Sequence, residues 1–138
     1  MIQRVQSLWL LLATACDALT FQLPFFRGDW TKDTVVGDIN LNALTTPLFT
    51  GLTAAAGVLA FITIFLYNNR KLQLRLCYLG VFLTVALLTT YFLELDDFTT
   101  GTVAVWIIVY FAILIGYFLA AKGIRKDQKL IRSLDRLR

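Results

Sequence analysis

Residues 47–67 read PLFTGLTAAAGVLAFITIFLY, a run without one charged side chain. A helix rises about 1.5 Å per residue, so this run is long enough to cross a hydrocarbon core of roughly 30 Å. Its apolar residues do not alternate with polar ones as those of a barrel strand would. In lipid a segment of this kind satisfies its backbone only by becoming a helix.

Three further stretches qualify on the same grounds, at about 5–23, 76–93 and 102–121. Between the four lie a loop over 24–46, a short basic link over 68–75 and a short acidic link over 94–101, and a basic tail follows over 122–138. The whole chain agrees with this reading. Of its 138 residues 58% are hydrophobic and 16% charged, with a mean hydropathy of +0.70, against roughly 25% charged residues in soluble domains. The expected fold is an all-α membrane protein, a single-domain four-transmembrane-helix bundle.

The basic residues set the expected orientation. Eleven of the thirteen lie at Arg4, in the 68–75 link (Arg70, Lys71, Arg75) and in the tail (Lys122, Arg125, Lys126, Lys129, Arg132, Arg136, Arg138). The other side holds Arg27 and Lys32 against Asp29, Asp33, Asp38, Glu94, Asp96 and Asp97. Positive charge stays inside, so both termini are expected in the cytoplasm. Met1 to Ala15 followed by Cys16 loosely resembles a lipoprotein signal, but its charge is a lone Arg4 and the apolar run continues past Cys16, so an uncleaved first span is expected.

Small and polar residues recur at helical spacing, which marks the faces where membrane helices approach closely. Thr46, Thr50, Thr53, Gly57 and Ala60 form one stripe, Ala112, Gly116 and Ala120 another, Gly80 and Thr84 a third, and Gln3, Ser7, Thr14 and Asp17 a fourth. Asp17 stands out as an acidic residue well inside a span, where an ionisable group is costly. It is expected to hydrogen-bond Thr50 or Thr53 at the same depth, with Tyr91 a further candidate. The competing reading makes Asp17 a proton or cation site with Glu94, Asp96 and Asp97 as its outer mouth.

In the 24–46 loop, Gly37 and Asp38 fall between two short β-prone runs and suggest a hairpin turn, anchored through Trp30, Val35 and Leu41. In the tail, Leu130, Ile131, Leu134 and Leu137 share one helical side among the basic residues. An amphipathic helix lying on anionic headgroups is expected, with Arg125, Lys126, Lys129, Arg132, Arg136 and Arg138 in contact. Docking to a cytoplasmic or membrane partner is the second account and contact with ribosomal RNA the third. No aromatic residue is present in the tail for base stacking, and DNA binding is not expected.

Catalytic signatures are missing. There are no histidines, one methionine and two cysteines placed in different spans, and no nucleophile elbow, Walker sequence or metal-ligand spacing occurs. Cofactors and catalysis are therefore not expected. Three functions remain: an accessory or assembly subunit of a larger inner-membrane complex, an oligomeric transporter or channel built on Asp17, and an anionic-lipid-binding protein.

The opening Met1-Ile2-Gln3-Arg4-Val5-Gln6-Ser7-Leu8-Trp9-Leu10-Leu11-Leu12 and the ending Lys129-Leu130-Ile131-Arg132-Ser133-Leu134-Asp135-Arg136-Leu137-Arg138 resemble the two ends of a family of small membrane proteins of Bacteroidota, domain of unknown function 4293. The resemblance implies a four-span inner-membrane protein of a Gram-negative bacterium and supplies no activity. It draws notice to Arg4 and the 132–138 segment as one cytoplasmic surface, with Asp135 a candidate partner for an arginine.

Overall fold

The computed structural model describes residues 3–30 and 37–136, with side chains from Val5 onward. Val35 and Arg138, and the side chain of Arg4, lie outside what it describes. Four helices dominate: α1 (Gln3–Leu19), α2 (Pro47–Phe65), α3 (Arg70–Glu94) and α4 (Ile107–Asp135). Each packs against its neighbours in the chain, and α1 also packs along α4. Helices α2, α3 and α4 are each long and apolar enough to cross a membrane. The α1 helix is shorter, at 17 residues, but backbone bonds from Thr20 to Cys16 and from Leu23 to Leu19 carry a helical turn onward to Leu23.

Local chemistry accounts for the boundaries. The Thr46 hydroxyl accepts from the Phe49 amide and Pro47 occupies the first helical turn, the usual opening of a helix. Several threonines within the helices turn their hydroxyls back on the preceding turn, Thr63 to the Leu59 carbonyl at 2.6 Å and Thr84 to Gly80 at 2.7 Å. Such bonds satisfy a polar group inside one helix and leave it compatible with an apolar surrounding.

The departure from an all-helical chain is a three-stranded antiparallel sheet in the order β2-β1-β3, formed by β1 (Phe26–Trp30), β2 (Gly37–Leu41) and β3 (Phe98–Val103). The sequence reading placed Gly37 and Asp38 in a hairpin turn. They are instead strand residues, Gly37 opposite Trp30 and Asp38 opposite Asp29, and the connection falls among residues 31–36, outside the described residues. The register follows from β1 having a second partner. Phe26 faces Val103 and Gly28 faces Gly101 across the β1–β3 pair. A side chain at Gly28 would run into the backbone of Thr100 and Gly101, so this close approach needs glycine. A third strand also remedies the marginal stability of a lone hairpin.

Because 98–103 is committed to the sheet, α4 starts at Ile107, five residues later than the hydropathy of the sequence suggested. At its other end α4 runs without a break into the basic tail. The helix expected over the tail is present, as the continuation of α4. Ala120, Ala121 and Ile124 are buried in the interior, and Gly123 lies against Gln6, so the tail keeps packing on α1 as far as Asp127.

Candidate functional site

The interior divides into two apolar clusters. One, around Leu10, Ala13, Cys77, Ile113 and Tyr117, fills the half away from the sheet. The other joins Phe25, Leu41, Phe49, Leu87, Tyr91 and Tyr110 beneath the sheet. Its aromatic rings interlock, with Tyr91 stacked on Phe49 at 4.3 Å and on Phe25 at 4.8 Å, and Tyr110 edge-on to both Phe25 and Tyr91 at 5.1 Å. The Tyr110 hydroxyl donates to the Leu23 carbonyl at 2.8 Å, fixing the end of α1 to the start of α4. The sheet is thereby riveted to the helix ends: the Phe25 amide donates to Leu41 and the Ala104 amide to Phe25. Leu41 is fully buried, and Trp30 stacks on Phe98 at 5.9 Å.

Glycines set how closely the helices approach. Gly116 faces Ala13 and the Trp9 carbonyl, an added Cβ lying 3.0 Å from each. The Tyr117 ring lies against Gly80, and its hydroxyl donates to the Ala56 carbonyl of α2. Of the remaining stripe residues, Ala120, Thr84, Thr53 and Ala60 are buried, while Ala112 is partly so.

Asp17 is 3% exposed, and its carboxyl reaches across to α2, where Oδ2 lies over Gly57. A Cβ at position 57 would occupy the same space. The expected bond to Thr50 is not made, since the Thr50 hydroxyl donates to the Ala43 carbonyl at 2.8 Å and to Thr46 at 3.1 Å. Asp17 Oδ1, Thr53 Oγ1 and Tyr91 Oη are all buried without a hydrogen-bond partner. Unpaired buried polar atoms are rare in folded proteins, which singles these three out. At Asp17 a groove of about 400 Å³ opens between α1 and α2, lined by Thr14, Asp17, Ala54, Gly57, Val58 and Phe61.

The end of the molecule opposite the sheet is basic. Gln6 Nε2 donates to Asp127 Oδ2 at 2.7 Å, both side chains being about 95% buried. Gln128 Nε2 donates to the Arg70 carbonyl at 3.1 Å and Gln73 Nε2 to the Thr63 carbonyl at 3.2 Å, tying α4 to α3 and α3 to α2. Arg125 sits over the Tyr78 ring at 4.9 Å, a cation–π contact. Beyond Asp127 the side chains are largely exposed, including Lys129, Arg132 and Arg136 with Leu130, Ile131 and Leu134, and Lys126 just before it is exposed as well. Asp135 borders a surface depression with Lys129, Arg132 and Arg136.

The sequence reading singled out Asp17 but placed its carboxyl on a threonine, because depth can be counted along a helix while the rotation of one helix against another cannot. It missed Gln6 and Asp127, which read as surface polar residues at the two ends of the chain. The only available signal was Asp127 standing among tail cations on the same helical side as Ile124. When known proteins are compared, the family model described as Domain of unknown function (DUF4293) matches residues 2–137. Nothing matches among the curated proteins or among the solved structures.

Proposed function

We propose that this chain, which belongs to the family of domain of unknown function 4293, is a four-span inner-membrane protein with both termini in the cytoplasm and works without catalysis as an accessory or assembly subunit of a larger membrane complex. The orientation is supported by the charge at the two ends. Arg70, Lys71, Arg75, Arg125, Lys129 and Arg132 belong to the end opposite the sheet, whereas Asp29, Asp38, Glu94, Asp96 and Asp97 belong to the sheet end. Spanning by α1 is supported by its helical turn through Leu23 and by its exposed apolar side chains Leu8, Leu11, Leu12 and Leu19.

One observation carries the subunit reading, the unbroken course of α4. Its 29 residues extend about 43 Å by helical rise, against a hydrocarbon core of roughly 30 Å. The excess forms a rod held at its base by the Gln6–Asp127 bond, with Leu130, Ile131 and Leu134 exposed on it at 45, 40 and 64%. A rigid helix with apolar residues among cations is suited to docking on another protein at the membrane surface, where its lysines and arginines also meet anionic headgroups.

The test is recovery of a tagged copy from its native membrane in mild detergent. Stoichiometric recovery with a membrane complex is expected, lost when Leu130, Ile131 and Leu134 are changed together to serine. Recovery of the wild-type chain alone, or only with itself, overturns the reading. A second reading, transport by an oligomer through Asp17, is favoured by the unpartnered Asp17, Thr53 and Tyr91 atoms. Reconstituted vesicles in which Asp17→Asn abolishes an ion or proton flux would establish it, and equal flux through both chains would exclude it.

A further inference from the structure

We infer that the groove between α1 and α2 receives a transmembrane helix of a partner protein bearing one lysine or arginine at the depth of Asp17. The inference rests on the subunit reading and adds the chemistry of the partner.

Three observations converge on this groove. Its walls are small or apolar on both sides, Ala18 of α1 with Phe21 from the turn after it, and Ala54, Val58 and Phe61 from α2. Val58 and Phe61 are 58% and 53% exposed, so the face is open to an incoming helix. Small residues at such a seam let helix backbones approach, which is how helices associate where lipid offers no hydrophobic gain. At the floor lies the Asp17 carboxyl, 97% removed from the surface, with Oδ1 unpartnered and Oδ2 held over Gly57.

The chemistry of that carboxyl selects the occupant. When ionised it offers only oxygen acceptors in an apolar surrounding, and neither Thr50 nor Thr14 donates to it. The Thr50 hydroxyl is spent on Ala43, and Thr14 donates to the Leu10 carbonyl of its own helix at 2.9 Å. An ammonium or guanidinium group brings several donors and the opposite charge, and pairing relieves the cost of an ionisable group in hydrocarbon for both helices at once. A second copy of this chain does not fit, since none of its four helices carries a lysine or arginine at this depth. The acceptor lies about six residues, or 9 Å by helical rise, below Leu23, which sets where the partner's cation must stand.

The test uses leucine-based transmembrane peptides of about 20 residues, one carrying a single lysine about 9 Å from its outer end and the other leucine throughout. Association with the full chain is read by energy transfer in nanodiscs of phosphatidylcholine. The lysine peptide is expected to bind the wild-type chain about tenfold more tightly than the leucine peptide, and the preference to vanish in Asp17→Asn. Equal binding of the two peptides to the wild-type chain overturns the inference whatever the variant does, and so does a lysine preference that survives Asp17→Asn. Failure here leaves the subunit reading untouched, because that reading stands or falls on recovery from the native membrane and on the α4 rod.

Discussion

Gln6 and Asp127 stand 121 positions apart in the chain and 2.7 Å apart in space. Their bond closes the helix ring at its basic end, and an acid buried there depends on its donor. Gln6→Leu strands Asp127 and is expected to cost about 1–3 kcal/mol, whereas Gln6→Leu with Asp127→Leu should restore most of the loss. Thermal unfolding in detergent measures both, and a double variant no better than the single one would show that the pair is not coupled. Gly57 makes a similar point by contrast with Gly51. An added methyl at position 57 meets the Asp17 carboxyl, while position 51 has open space around it. Gly57→Ala is expected to destabilise despite the better helix propensity of alanine, and Gly51→Ala to be neutral or to stabilise by up to about 1 kcal/mol. Asp17 was legible as the residue demanding explanation, since one acid in an apolar run is visible in any reading. Its contact with Gly57 was not, because glycine spacing names a face without naming what lies on it.

Among the elements, the sheet and α4 differ most from their expectation. Residues 98–103, Phe-Thr-Thr-Gly-Thr-Val, carry a threonine-rich β-prone pattern that was read as an acidic link leading into an apolar span. Only the presence of β1 alongside turns it into a strand. The aromatic plug under the sheet supports this pairing through Phe25, which is fully buried and touches Tyr91, Phe92 and Tyr110. Phe25→Ala is expected to cost about 3–5 kcal/mol. Amide exchange should then accelerate at Phe25 and Ala104 and remain slow in the α2–α3 segment near Thr63 and Gln73. Uniform acceleration would mean that the sheet and the helices unfold as one. For α4, spin labels at positions 122 and 134 should lie about 18 Å apart with a narrow distribution, as in a continuous helix. A broad or shorter distribution would show a hinge where the hydrophobic span ends.

At the scale of the molecule, the two ends differ in charge and in secondary structure. The sheet end carries Asp29, Asp38, Asp96 and Asp97, and the other end carries the cations of α3 and α4. The proposed orientation makes a direct prediction. With Cys16 and Cys77 replaced by alanine, cysteines introduced at Asp38 or Thr100 should react with an impermeant maleimide on intact spheroplasts, and one at Lys129 only after permeabilisation. The reverse pattern would invert the topology, and with it the cytoplasmic location of the α4 rod. The ring of helices also explains why Asp17 appears at a groove and not at a central channel. The middle of the ring is filled by Tyr117, Leu10, Ile113 and Cys77, all fully or almost fully buried.

The sequence by itself determined the membrane-compatible helices, the small-residue faces on which they pack and the asymmetry of charge between the ends. Hydropathy, residue size and net charge act locally, so each is visible in a short window. Family membership was equally legible from the two terminal motifs. Tertiary structure alone decided the partner of Asp127, the position of the Asp17 carboxyl over Gly57, the third strand and the continuation of α4 into the tail. Each of these depends on the rotation and register of one element against another, and those quantities are set by packing between residues far apart in the chain.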